Sequence, residues 1–78
     1  MEIKVLGSGC AKCNLLEEAT KRAVAQAGID ATVEKITDMV AIMNYGVMTT
    51  PALVVDGQVK ISGRVPSVDD LVALLTRA

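Results

Sequence analysis

At 78 residues the chain lies near the lower size limit for a core held by apolar packing alone; chains of this length bury only about 60% of their unfolded surface. Hydrophobic residues make up 51% of it and aromatics 1%, so Leu, Ile, Val, Ala and Met must fill the interior and Tyr45 is the sole ring. Lys plus Arg number 8 against 9 Asp plus Glu; a net charge this small draws neither phosphate backbones nor anionic membrane surfaces, and nucleic acid and membrane are excluded as partners.

One domain over residues 1–78 is expected. No apolar run approaches the roughly 18 residues of a membrane span, and the chain starts directly on a strand carrying Glu2 and Lys4. A cytoplasmic location is expected.

Glu2-Ile3-Lys4-Val5-Leu6 has the β-branched content of a strand, and Gly7-Ser8-Gly9 supplies a tight turn after it. The chain's two cysteines follow as Cys10-Ala11-Lys12-Cys13, at the start of a helix. Unpaired N–H groups of a first helical turn, and the positive end of the helix dipole, favour a thiolate over a thiol. Lys12 adds positive charge beside them, a minor electrostatic contribution. The loop these cysteines close is too short to be a good structural staple, and a reducing compartment would keep it open. Reversible redox chemistry or metal binding suits the spacing better.

Leu15, Leu16, Ala19, Ala23 and Ala27 then recur at helical spacing, opposite Glu17, Glu18, Lys21 and Arg22. The pairs Glu17 with Lys21 and Glu18 with Arg22 are spaced to interact, and Gly28 ends the helix near Ala27. A second strand over Ala31 to Ile36, reached by a helical crossover, is expected parallel to the first. Thr37 or Asp38 caps a short helix over Met39 to Tyr45, stopped by Gly46. After Val47-Met48-Thr49-Thr50-Pro51, the tract Ala52 to Val55, Asp56-Gly57, Gln58 to Ile61 is a hairpin signal with a type I′ turn. Ser67 with Asp70 resembles a capping box opening a last helix, which turns Leu71, Val72, Leu74 and Leu75 inward. The order βαβαββα makes a four-stranded mixed sheet with helices on both faces. Met39, Met43 and Met48 are expected to fill gaps in the core.

This arrangement resembles the thioredoxin fold, and within it the small minimal thioredoxin-like proteins of archaea and bacteria known as redox-active disulfide proteins. The resemblance covers nearly the whole chain and rests on VLGSGCAKC, the LLEEA helix start, GIDA, TTPALVVDGQVKISGRV and the closing helix. It implies a thiol-disulfide oxidoreductase in which Cys10 attacks and Cys13, buried one turn later, resolves the mixed disulfide. It also implies that Thr50-Pro51 is a cis-proline loop where polar groups of Thr50 pair with an incoming extended chain. The implied partners are a disulfide-containing protein substrate and a thiol reductase as electron donor, the protein acting as a monomer with no cofactor beyond its own disulfide. The chain departs from larger thioredoxins in lacking the tryptophan before the motif and the proline inside it. Where those proteins carry an acidic residue six positions before the first cysteine, this chain has Lys4, leaving Cys13 without an assigned base.

Two other readings remain at this point. Ile61-Ser62-Gly63-Arg64 with Val68-Asp69-Asp70 is similar to the segment with which glutaredoxins hold glutathione. A copper-chaperone-like module also places CxxC before its first helix, but such domains run βαββαβ. With no His and no third Cys to complete a tetrahedral site, no metal is expected.

Overall fold

A computed structural model describes residues 1–77. The elements run β1 (Glu2–Leu6), α1 (Ala11–Ala27), β2 (Thr32–Ile36), α2 (Met39–Asn44), β3 (Ala52–Val55), β4 (Gln58–Ser62) and α3 (Val68–Arg77). The strands form one sheet in the order β2-β1-β3-β4. β1 and β2 are parallel, joined through α1, whereas β3 is antiparallel to both β1 and β4. A parallel pair needs a long crossover, and α1 supplies it.

Local chemistry sets the ends of these elements. Gly28, at φ 66°, caps α1 by donating its N–H to the Val24 and Ala25 carbonyls. The Asp38 carboxylate accepts the Ala41 N–H at 3.2 Å and caps α2. At α3 the Ser67 hydroxyl accepts the Asp70 N–H at 3.1 Å. Asp56 and Gly57 both take positive φ, 49° and 84°, the backbone a type I′ hairpin turn requires. The Asp56 side chain then accepts the Glu2 N–H at 2.8 Å, which ties the hairpin turn to the start of β1.

Side chains of a strand alternate between faces, and here the two faces carry two cores. Ile3, Val5, Leu53 and Val55 point to the side covered by α1 and α3, where they meet Leu16, Ala23, Leu71 and Leu75. Leu6, Ala52 and Val54 point the other way and meet Ile42 of α2, with Ile36, Tyr45 and Val47 at the margin. All four residues of β3 are buried because helices cover both of its sides.

Three expectations need correction. The buried stripe of α1 is Cys13, Leu16, Thr20 and Ala23, while Leu15 is exposed. Thr20 tolerates burial because its hydroxyl donates to the Leu16 carbonyl at 2.7 Å. Glu17 pairs with Lys21 at 3.7 Å, but among the described residues Glu18 and Arg22 form no ion pair. Met39, Met43 and Met48 fill no gap in the core and lie exposed. A six-residue helix turns one face to the sheet, and α2 uses it to bury Ile42 alone.

Candidate active site

The turn between β1 and α1 carries the two sulfurs. Cys10 is the N-cap of α1, and its Sγ accepts the Cys13 N–H at 3.1 Å. It thus occupies the place of a serine or aspartate cap, where an anionic acceptor gains most from the free N–H groups and the dipole. The Cys10 carbonyl accepts the Asn14 N–H and starts the helical ladder. Cys10 and Cys13 are joined as a disulfide across a Cα separation of 5.1 Å. The two cysteines differ sharply in access. Cys10 lies in an exposed stretch with Ser8, Gly9, Ala11 and Lys12, whereas Cys13 has no exposed surface.

Cys13 is seated against the end of β1. A Cβ built on Gly7 would overlap Cys13 Sγ and stand 2.9 Å from Cys13 Cβ, so only glycine lets the strand and the buried cysteine approach this closely. Gly7 is itself buried and donates its N–H to the Ile36 carbonyl at 3.0 Å. The residue pinning the Cys13 sulfur is therefore fixed by the β1–β2 ladder. The spacing CxxC shows none of this, and the one signal available was a glycine immediately after a strand.

The second part of the site is the segment before β3. The Thr50–Pro51 peptide bond is cis, with Thr50 exposed and Pro51 fully buried. The end of β4 holds this segment on both sides of Thr50. Thr49 Oγ1 and Ser62 Oγ are 2.9 Å apart, and the Ser62 hydroxyl also lies 3.3 Å from the Thr49 carbonyl. The Gly63 N–H donates to the Pro51 carbonyl at 2.8 Å. A side chain at Gly63 would meet Thr49 Oγ1 at 2.8 Å. Thr49 is thus a part of the site that the sequence reading did not assign, while Ser62 and Gly63 figured in it only as a segment similar to a glutathione site. The Ser62 hydroxyl and Gly63 N–H, in the segment similar to a glutathione site, are already engaged by this loop.

Ser8 of the cysteine turn and Thr50 line one shallow depression of about 350 Å³ together with Met39, Ile42 and Met43 of α2 and Val47 and Met48 of the loop after it. Lys12 is exposed on the first turn of α1. Lys4, the residue six positions before Cys10, faces away from the α1 core and pairs with Glu2 at 3.3 Å. The Tyr45 hydroxyl, and then the Glu2 carboxylate, raise its pKa above the ordinary lysine value. It is a held cation and no substitute for a carboxylate base.

A family model described as "Thioredoxin domain" matches residues 1–76 of the chain. The chain is 43% identical over 76 residues to a thioredoxin of Methanothermobacter thermautotrophicus, covering 97% of this chain and 99% of that protein. It is 39% identical over 69 residues to a thioredoxin of Methanocaldococcus jannaschii, covering 88% of this chain and 79% of that protein. The observed order βαβαββα accords with these matches and departs from the βαββαβ order of copper-chaperone-like modules.

Proposed function

The chain belongs to the thioredoxin domain family, and from that premise we propose that Cys10 is its attacking nucleophile, Cys13 its resolving thiol, and Thr50 with Pro51 its substrate-receiving loop. The protein is a thiol-disulfide oxidoreductase acting on disulfide substrates, with a reductase as redox partner.

In the dithiol form the Cys10 thiolate attacks one sulfur of a substrate disulfide. A Cys10–substrate bond forms, the substrate bond breaks, and the first substrate thiolate leaves. Cys13, having lost its proton, attacks Cys10 Sγ; the internal disulfide forms and the second substrate thiolate departs. Two electrons pass to the substrate and no further cofactor takes part. The observation that carries this assignment is the asymmetry of the pair: an exposed Cys10 whose sulfur already accepts a helix-start N–H, bonded to a Cys13 with no exposed surface. The substrate reaches the first sulfur and only the protein's own chain reaches the second.

Thr50 extends the proposal to recognition. Its neighbours Thr49 and Pro51 are tied to β4 and Thr50 itself is exposed; in this reading its polar groups pair with an extended substrate strand. The depression from Ser8 along α2 receives the apolar residues flanking the substrate disulfide. The redox partner in this reading is a thiol reductase that restores the dithiol in the cytoplasm, and the protein works as a monomer. Among the described residues no helix is long and apolar enough to cross a membrane.

Trapping tests the roles directly. Cys13→Ser should accumulate mixed disulfides through Cys10 when mixed with a disulfide-bonded protein, and Cys10→Ser should abolish turnover; equal trapping by both variants would overturn the assignment. In the same experiment on reduced protein, iodoacetamide should label Cys10 before Cys13, and Lys12→Gln should slow that labelling modestly.

A further inference from the structure

Three of the four methionines in the chain stand on one patch. Met39, Met43 and Met48 are 58%, 67% and 95% exposed, yet each lines the depression that Ser8 and Thr50 also line. Met1, the fourth, packs on the opposite core. Met39 and Met43 are four residues apart on α2 and so share a face, and Met48 lies on the loop that leads to Thr50. The aliphatic residues of the same depression, Ile42 and Val47, are buried or half-buried. The exposed apolar side chains of this surface are therefore thioethers.

A thioether differs from an aliphatic side chain in one chemical respect. Two-electron oxidation converts it to a sulfoxide, which is polar and chiral and disrupts apolar contacts. In the disulfide form Cys10 and Cys13 have no free thiolate to offer an oxidant. The exposed sulfurs most readily oxidised are then the thioethers of the methionines.

We propose that Met39, Met43 and Met48 form an oxidative modification site, at which peroxide turns the docking face polar and weakens capture of protein disulfides while leaving the Cys10–Cys13 couple intact. The proposal rests on the reading of this depression as the substrate-docking face. In the step itself one peroxide oxygen bonds to the methionine sulfur and the O–O bond breaks. The sulfur loses two electrons, and the other peroxide oxygen leaves with both protons as water. Exposure orders the sites, Met48 first.

The test uses the full chain in its disulfide form, treated with hydrogen peroxide, freed of it and mapped by peptide mass spectrometry. Turnover is then measured with insulin as the protein disulfide and cystamine as the small one, dithiothreitol supplying electrons. Sulfoxide should appear first at Met48, and the KM for insulin should rise about tenfold, the scale of one polar group buried without full compensation. Turnover of cystamine should hold. In the triple variant Met39→Leu, Met43→Leu, Met48→Leu, the ratio of treated to untreated KM should stay near one, whatever its starting value. Sulfoxide confined to Met1, an equal peroxide effect in the triple variant, or parallel loss of cystamine turnover would each overturn the proposal. Met43→Gln with Met48→Gln separates the two layers of argument. A raised insulin KM in that variant upholds the docking face even where peroxide fails to modify it, whereas an unchanged KM removes the docking reading and this proposal with it.

Discussion

The two faces of the sheet are built to different standards. On one side α1, with 17 residues, and α3, with 10, pack against each other and close over Ile3, Val5, Leu53 and Val55. On the other, α2 has six residues, buries Ile42, and leaves Met39, Val40 and Met43 in solvent. A chain of this size has little apolar surface to spare, and it concentrates burial where two helices share one sheet face. The thinner face leaves apolar side chains uncovered, and the Thr50–Pro51 loop, proposed above to receive substrate, lies beside it. Cys13 lies on α1 of the first face and Thr50 lines the depression with α2 residues of the second, so the candidate site lies where the two faces meet.

Truncation on each face is the strongest way to break this contrast. Leu71→Ala removes a side chain with no exposed surface from between α1 and α3, and should cost about 2–5 kcal/mol in urea unfolding of the disulfide form. Met43→Ala, on the open face, should change stability by less than about 0.5 kcal/mol. Comparable losses for the two variants would mean that α2 contributes to the fold as α1 and α3 do, and the division of labour would be wrong.

A smaller effect is expected where the packed face touches the chemistry. Gly7→Ala places a methyl group into Cys13 Sγ, and overpacking of a tight site costs about 1–3 kcal/mol. With the sulfur held in the disulfide the clash has no outlet, while in the dithiol form the Cys13 side chain is free to turn. The disulfide form should therefore lose more stability than the dithiol form, and equilibration against dithiothreitol should show the couple displaced toward dithiol. Equal loss in both redox states would make Gly7 a packing residue with no bearing on the redox balance.

What could be read from the chain follows the range of the forces involved. Asp56-Gly57, Gly28, Asp38 and Ser67 act within a few residues of themselves, and each ends or turns an element where its chemistry dictates. Cys10 and Cys13 are legible for the same reason, since spacing and helix start together fix their relation. Met39 and Met43 misled because helical spacing reports which residues share a face but not whether anything covers it. Leu15 misled in the same way, and Thr20 was missed because its burial depends on a bond back to its own helix. Gly7 against Cys13, and Thr49 against Ser62, arise only once separate elements have docked. Their partners stand 6 and 13 positions apart in the sequence, in segments that sequence patterning treats independently.

The Thr49–Ser62 pair offers the finest test of how the open face is organised. Both hydroxyls are exposed, and a net hydrogen bond of this kind is worth about 0.5–1.5 kcal/mol, less where water replaces the lost partner. Ser62→Ala should thus leave unfolding nearly unchanged, while Gly63 N–H still holds the Pro51 carbonyl at 2.8 Å. What it loosens is Thr49, and through it the backbone of Thr50 on the side away from the proline. If Ser62 positions the substrate loop, its loss should raise the KM for insulin a few-fold, leave cystamine turnover in place, and be rescued by Ser62→Thr, which restores a hydroxyl at the same point. A variant that alters both substrates equally would reduce Ser62 to a strand-end residue, and the rigidity of the substrate loop would then rest on the Gly63–Pro51 bond alone.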